Sequence, residues 1–224
     1  MRAKLYREHK YVSFALSELE RLIAKTDFTN DAAIEHVKDE WQAIKEMLKG
    51  HAHHEEQNIH ALLEKKGSAV HHEAHDDHEH QEEVLENLQY RLSAVKTSTD
   101  RIEAGYQFYL AYRKFVGDNL LHLHEEETKL LPELQKLCTD DELRAIEYPT
   151  YNLMTVEEMV EMVQVLFPQM NFSDKCAFLI DIKLAQPKKF QQLLDKATQF
   201  LSTEEIERFL NAQKSLLEMT CVEK

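Results

Sequence analysis

Residues that interrupt helices are scarce in this 224-residue sequence. It contains only four glycines and four prolines, and helix-forming residues dominate the stretches between them. We therefore predict an all-α protein. The length suffices for one large domain or two small ones, with a sizeable hydrophobic core.

Cysteines are few, and long apolar runs are absent. Cys138, Cys176 and Cys221 show no C-x-x-C spacing, which favours reduced thiols in a cytoplasm over a disulfide framework. No run approaches the roughly 20 apolar residues that cross a bilayer. The basic start of the chain leads into His9 and Lys10 and not into an apolar signal segment. We expect a cytoplasmic protein that does not enter a membrane.

Basic residues are outnumbered by acidic ones. The 27 lysines and arginines stand against 41 aspartates and glutamates, which gives a net charge of −14. Without a basic patch the chain has no means of displacing counterions from nucleic-acid phosphates. An anionic membrane surface is disfavoured by the same charge. We therefore expect neither nucleic acid nor a membrane as a partner.

Two segments that combine histidine with glutamate stand out instead. The sequences HAHHEE and HLHEEE begin at His51 and His122 and share the form H-x-x-x-E-E. On an α-helix, residues four apart lie on one face. His51 and Glu55 should therefore point the same way, and so should His122 and Glu126.

A second pair of histidines precedes these segments at matching distances. His9 lies 42 residues before His51, and His78 lies 44 residues before His122. Apolar residues follow each of them at spacings of three and four, as on a helix that faces a bundle. They are Val12, Leu16, Leu19 and Ile23 in the first case, and Leu85, Leu88, Leu92 and Val95 in the second. One helical hairpin thus occurs twice, which predicts a four-helix bundle with histidine and glutamate converging inside.

His51 and Glu55 interrupt an otherwise apolar helical stripe. Its apolar members are Val37, Trp41, Ile44, Leu48, Ile59 and Leu62. Burying an unpaired carboxylate costs several kcal/mol, so a partner or a metal ion is expected there. The alternative is a helix end that has emerged into water. The second copy interrupts its own stripe in the same way and argues against that alternative.

The spacing predicts a pair of metal ions inside the bundle. The predicted ligands are His9, His51, Glu55, His78, His122 and Glu126, with His75 as a candidate extra ligand. If both carboxylates bridge, each ion takes two histidines. Imidazole and carboxylate with open coordination positions suit iron, and manganese or zinc would also fit. The sequence indicates no catalytic side chain and no organic cofactor site.

Residues 1 to about 137 resemble the hemerythrin/HHE cation-binding family. The resemblance rests on the double H-x-x-x-E-E pattern together with His9 and His78, and it implies an up-down-up-down bundle with a non-haem di-iron centre. The classical oxygen carriers of that family have a His-x-x-x-His pair on the third helix, whereas Ala74 stands four residues before His78 here. This departure argues against reversible oxygen carriage. It leaves room for peroxide, nitric oxide or oxygen chemistry, or for iron sensing.

The resemblance does not explain the rest of the chain. We predict a connector over 138–153 and a helical subdomain of unknown role over 154–224, which contains no histidine. Four helices are predicted there, at about 155–166, 174–185, 187–200 and 203–218. Their apolar faces, one of them rich in methionine, close a core of their own or pack on the bundle. The alternative is that they form a groove for a protein partner.

Three functions are compatible with these patterns. The leading hypothesis is a di-iron protein that binds or senses O₂, nitric oxide, peroxide or iron itself. The second is a di-iron enzyme, such as an oxidase, a peroxidase or a protein that repairs iron centres, because open positions admit substrates as readily as ligands. The third is a helical scaffold with pH-sensitive His–Glu contacts, since the 13 histidines titrate near neutrality.

Overall fold

A computed structural model describes residues 5–146 and 148–211. Within that part the regular structure is helical and contains no strand, so the predicted all-α class is confirmed. The helices divide into two compact units. The bundle unit is Val12–Thr139, and the second unit is Met1–Tyr11 together with Asp140–Lys224. The described residues include no helix that could span a membrane.

Long helices make up the bundle unit. The α-helices are α1 (His9–Ala24), α2 (Asp31–His54), α3 (Ala61–Lys65), α4 (His72–Val95), α5 (Arg101–Glu125) and α6 (Leu131–Leu137). A π-helical segment, Glu55–His60, joins α2 to α3, and another, Glu126–Leu130, joins α5 to α6. The helical backbone continues through both segments. The second helix of the bundle therefore runs without a break from α2 to α3, and the fourth runs from α5 to α6. The boundary between the two units falls within α1.

Side-chain caps start two of the bundle helices. The Asn30 side chain accepts hydrogen bonds from the backbone N–H groups of Ala32 and Ala33 at the start of α2. Asp100 accepts one from the N–H of Glu103 at the start of α5. Each cap satisfies backbone donors that have no partner inside the helix. Both helices therefore begin directly after a capping side chain.

The described residues just before the first helix are not helical. Tyr6 has a φ of 63°, which is left-handed and incompatible with a right-handed helix. Helix α1 therefore begins only at His9.

The core of the bundle unit is built from the predicted apolar stripes. Trp41, the only tryptophan of the chain, is fully buried. Its indole N–H donates to Gln89 Oε1 at 2.9 Å. Tyr112 is also fully buried, and its hydroxyl donates to the Leu16 carbonyl at 3.1 Å. The polar tips of both aromatic side chains thus find partners, so their rings can be buried at little cost.

The close approach of the Phe28 ring explains why residue 105 is a glycine. A Cβ atom on Gly105 would lie 2.2 Å from Cδ2 and 2.8 Å from Cβ of Phe28. Real Cβ atoms do not come so close to other carbon atoms. Phe28 is itself buried, so its ring occupies the space that any larger residue at position 105 would need.

The second unit is helical as well. Its described helices are α7 (Asp140–Ala145), α8 (Tyr148–Leu153), α9 (Val156–Leu166), α10 (Phe172–Ala185), α11 (Phe190–Ala197) and residues 203–211. The segment predicted as a connector is thus helical over α7 and α8. The part of the last predicted helix that follows position 211 lies outside the described residues.

The two apolar faces of the second unit pack in one core. Met159 and Val163 on α9 lie in the same cluster of buried residues as Leu193 and Leu194 on α11. These faces therefore close a core within the second unit. At the start of α9, Thr155 makes a capping box with Glu158.

Buried ion pairs tie the start of the chain into the second unit. Arg7 Nη2 lies 2.7 Å from Asp181 Oδ2, and both side chains are more than nine-tenths buried. Lys10 pairs with Asp174, whose side chain is also buried. Buried charges are tolerated where they are paired, and removing one partner is strongly destabilising. Arg7 and Lys10 therefore contribute to this unit through polar contacts.

Candidate metal centre

Both predicted glutamate ligands open a π-helical segment. Glu55 is the first residue of one segment and Glu126 is the first of the other. A π turn contains an extra residue, and such turns are frequent at functional sites. After the first segment the fully buried position is Leu63 and not the predicted Leu62, which is half-buried. The same change of register buries His60.

Four of the predicted ligands converge inside the bundle unit. They are Glu55, His78, His122 and Glu126, and each offers a ligand atom within 4.8 Å of the others. The two glutamates are 0% exposed, and the two histidines are 4% and 9% exposed. Carboxylates this deeply buried need strong compensation for their lost hydration.

The Nε2 atoms of the two histidines face the carboxylates. His78 Nε2 lies 3.4 Å from Glu55 Oε2 and 3.9 Å from Glu126 Oε1. His122 Nε2 lies 3.5 Å from Glu126 Oε1. The two Nε2 atoms are 3.0 Å apart. Two imidazole edges and two carboxylates therefore surround one small volume.

The other nitrogen of each ring faces an outer carboxylate. His122 Nδ1 lies 3.3 Å from Asp77 Oδ2, and His78 Nδ1 lies 3.4 Å from Glu56 Oε1. The hydrogen bond with Asp77 favours the His122 tautomer that carries its hydrogen on Nδ1. Among the described residues, Nδ1 of His78 has a carboxylate nearby but no hydrogen bond. With the hydrogen on Nδ1, the Nε2 atom of each ring would offer a lone pair to the interior, as a metal ligand requires.

His51 lies near the same two glutamates from the other hairpin. His51, Glu55 and Glu126 offer ligand atoms that are all within 4.8 Å of one another. His51 Nε2 lies 3.4 Å from Glu55 Oε1, and the His51 side chain is 10% exposed. Both glutamates thus serve two groups of donors, as carboxylates that bridge two ions would.

The other two predicted residues are His9 and His75. His9 is the first residue of α1 and falls in the second unit, where it is buried and its ring lies 4.6 Å from that of Tyr6. Its role as a ligand stays a prediction. His75 is half exposed, with Nδ1 at 3.4 Å from Glu56 and Nε2 at 3.8 Å from Glu79. It is not part of either group of converging donors.

Burial keeps two of the interior histidines neutral. Loss of hydration, reinforced by His78 beside it, lowers the pKa of His122. The same two causes lower the pKa of His60 to about 4. A histidine must be neutral to donate a lone pair to a metal ion. These side chains are therefore in the protonation state of a ligand at neutral pH.

Sequence reasoning missed three residues near the centre. Glu56 is the second glutamate of the first H-x-x-x-E-E segment, so the repeated Glu-Glu pair could have indicated its role. Asp77 approaches His122 from another helix, and no local pattern reveals such a contact. His60 is buried only because the π segment shifts the register after Glu55. The contact of Asp77 with His122 and the burial of His60 both depend on tertiary structure.

Two cavities in the bundle unit lead to the converging side chains. One, of about 340 Å³, reaches His122 and is also lined by Gln81, Lys114 and Asn119. The other, of about 270 Å³, reaches His78. Gln81 donates a hydrogen bond to Asn119 Oδ1, so polar groups line the first route. A small polar molecule has room to approach the centre.

Comparison with known proteins identifies the bundle. The sequence model for the hemerythrin HHE cation binding domain matches residues 1–134. The chain belongs to this family. The match covers more than half of the chain and confirms the resemblance inferred from the sequence. No curated protein and no solved structure matches the chain.

The side chains present fit the cation that the hemerythrin HHE family implies. Two buried carboxylates and three nearly buried imidazoles present oxygen and nitrogen donors to a common interior. The 3.0 Å separation of the two Nε2 atoms is too short for two bare lone pairs without a proton or cation between them. The bundle unit is therefore suited to bind metal.

Proposed function

We propose that the protein is a non-haem di-iron protein that binds or senses O₂, a related molecule such as nitric oxide or peroxide, or iron itself. The observation that supports this most directly is the pair of Nε2 atoms, 3.0 Å apart, on His78 and His122. An outer carboxylate lies beside Nδ1 of each ring, with a hydrogen bond in the case of His122 and at 3.4 Å in the case of His78. With the hydrogen of each ring on Nδ1, both Nε2 lone pairs would face the interior beside Glu55 and Glu126.

A positive ion is the natural partner for that arrangement. Two lone pairs and two carboxylates repel one another in a dry interior, where electrostatic interactions are poorly screened. A divalent ion turns the repulsion into attraction at every contact. Protons could neutralise part of the charge, but they would not explain the outer carboxylates that orient both rings.

Each residue has a defined part in the proposal. His78 and His122 hold one ion, His51 holds the other with His9 as the sequence repeat predicts, and Glu55 and Glu126 are shared. Mixed nitrogen and oxygen donors suit iron, with manganese or zinc as the competing occupants. Bound iron would supply redox chemistry and open coordination positions.

The cavity beside His122 supports a small ligand over a large one. Its volume is about 340 Å³, and its lining includes Gln81, Lys114 and Asn119, which can donate hydrogen bonds. These side chains would orient a diatomic or peroxide-sized molecule next to the ions. We place the protein in the cytoplasm, as the sequence predicts, and Cys138 and Cys176 form no disulfide.

Metal analysis tests the proposal. Protein purified aerobically from iron-replete cells should contain about two iron ions per chain and absorb between the near-ultraviolet and the visible. Less than one iron per chain, without such absorption, would contradict it. Because His36 is exposed on α2, a His36→Asn variant should keep the full iron content and serves as the matched control.

A di-iron enzyme is the second candidate, and the same cavity favours it. A polar cavity that reaches a proposed ligand could admit a substrate as well as a ligand to be sensed. Peroxide consumption should then depend on the centre and disappear in a Glu126→Gln variant. If the variant consumes peroxide as fast as the wild type, the centre is not responsible.

A further inference from the structure

A pair of histidines lies beside the proposed centre and belongs to neither group of converging donors. His60 is the last residue of the first π segment, and His71 immediately precedes α4. They are 5% and 8% exposed. Their ring centroids are 5.6 Å apart, with an angle of 41° between the ring planes. No sequence pattern and no part of the proposed centre accounts for their burial together.

The His60 imidazole is buried without hydrogen bonds. In the described part of the chain neither of its nitrogens has a hydrogen-bond partner, and Nδ1 of His71 has none either. Buried polar atoms are almost always hydrogen-bonded, because an unsatisfied one has lost its hydration without compensation. The pair is therefore costly to bury unless something else binds the ring nitrogens.

A cavity gives access to both rings. It has a volume of about 250 Å³, and its lining also includes His72, His75 and the carboxylates of Glu56 and Glu64. His72 and Glu64 are exposed, so the cavity opens to solvent. First-row divalent ions bind imidazole readily, and carboxylates add charge to the site.

The separation of the rings suits a shared ion. Two imidazoles on one tetrahedral zinc ion, with Zn–N distances of about 2.1 Å, have ring centroids about 5 Å apart. The observed separation is 5.6 Å. Only a small movement of either side chain is needed for both rings to bind the same ion.

We propose that His60 and His71 form a separate binding site for a divalent transition-metal ion such as Zn²⁺ or Co²⁺. A carboxylate from the cavity wall, Glu56 or Glu64, and water complete the coordination. The site goes beyond the proposed function and does not depend on it. His60 stacks on His78 at 5.5 Å, so an ion held here lies next to the proposed centre and within reach of solvent.

Cobalt binding to the iron-loaded full chain tests the site. The visible absorption of Co²⁺ distinguishes tetrahedral from octahedral coordination, so each addition reports both binding and geometry. We expect one further Co²⁺ per chain and about a tenfold or greater loss of affinity in His71→Asn. The control His36→Asn should bind Co²⁺ as the wild type does. No additional Co²⁺ in the wild type, or equal binding by His71→Asn, would overturn the proposal.

Two further measurements check that the variants still fold and that Co²⁺ binds between the two rings. His60→Asn removes the more deeply buried partner, and Trp41 emission shows whether the bundle unit still folds. A crystal soaked in Co²⁺ and measured at the cobalt absorption edge should show an ion at about 2.1 Å from both rings. A cobalt peak elsewhere would overturn the assignment.

The design also separates this site from the proposed centre. If the purified chain takes up no iron, the proposed function fails. Even then, His71→Asn should bind one Co²⁺ per chain about tenfold or more weakly than the wild type does. Equal affinity in that comparison would refute the His60–His71 site on its own.

Discussion

Glu55 and Glu126 each begin a π-helical segment. A second glutamate, Glu56 or Glu127, follows each of them, and the next residues differ, with Gln57 and Asn58 in one copy and Thr128 and Lys129 in the other. The two segments also share a fully buried first glutamate that lies close to histidine ligand atoms. We infer that the wider turn lets each carboxylate reach the interior.

Neutralising Glu126 should separate metal binding from folding. Glu126→Gln keeps the shape of the side chain but replaces a charged ligand with a weak neutral one, so iron affinity should fall by about 100-fold or more. The metal-free variant should be at least as stable as the metal-free wild type, because a buried carboxylate is costly. Metal analysis and urea unfolding measure the two effects.

The neighbouring glutamate provides the matched control. Glu127 is exposed, and Glu127→Gln makes the same change of charge one residue later. It should leave both iron content and stability unchanged. Equal iron loss in the two variants would mean that overall charge, and not the buried carboxylate, controls metal binding.

Removing the metal should destabilise the bundle unit. An ion that binds only the folded state adds about 2.7 kcal/mol when its free concentration is 100 times its Kd. For a unit of this size, chelation should lower Tm by about 5 °C or more. Emission of Trp41 reports this unit alone, because it is the only tryptophan of the chain and is fully buried.

The scaffold hypothesis makes the opposite prediction for chelation. If the histidines and glutamates are only polar contacts, the chelator should leave the melting curve of the wild type unchanged. In Glu126→Gln, which should hold little metal, the chelator should have no effect in any case. A chelator-induced shift of equal size in that variant would point to an effect on some other part of the protein.

Gly105→Ala should destabilise the bundle unit despite a better helix propensity. Alanine gains about 1 kcal/mol over glycine in a helix. Its Cβ would lie 2.2 Å from the Phe28 ring, and overpacking of this kind costs about 1–3 kcal/mol or more. We expect a net loss of stability, measured by urea unfolding followed by Trp41 emission.

Gly117 on the same helix is the control. A Cβ there meets nothing within 4 Å, so Gly117→Ala should stabilise the unit by about 0.5–1 kcal/mol. In addition, the cost of Gly105→Ala should shrink when Phe28→Ala is already present, because the clashing ring is gone. Independent, additive effects of these two changes would refute the steric explanation.

Glu205 should make the stability of the second unit depend on pH. Its hydrogen bond with Lys175, together with the backbone of Ser202, lowers the pKa of the Glu205 carboxyl below its usual 4.5. A lowered carboxyl pKa adds stability above pH 4.5 that is lost as the pH falls through the folded-state value. Glu205→Gln should therefore cost about 1 kcal/mol at pH 7 and progressively less below pH 4.5.

Hydrogen exchange of α10 measures this effect. The ratio of exchange rates between Glu205→Gln and the wild type cancels the intrinsic effect of pH on exchange. We expect a raised ratio at pH 7 and a ratio near unity at about pH 3. A ratio that does not change with pH would show that the charge of Glu205 is not the stabilising feature.

The helices and the paired His–Glu residues follow from local pattern. Side chains on one helical face recur every three or four residues, so His122 and Glu126 can be assigned to the interior without a structure. Caps such as Asn30 act within one turn and are equally visible. For these features the neighbours along the chain supply the physical cause.

Tertiary structure decided the remaining features of this protein. Asp77 lies beside His122 only because two helices pack side by side. Phe28 likewise occupies the space next to Gly105 only because distant parts of the chain pack together. The π turns bury His60 next to His71, which no spacing rule for an α-helix predicts. Contacts between distant parts of the chain depend on how the helices lie against one another, and helical periodicity carries no information about that.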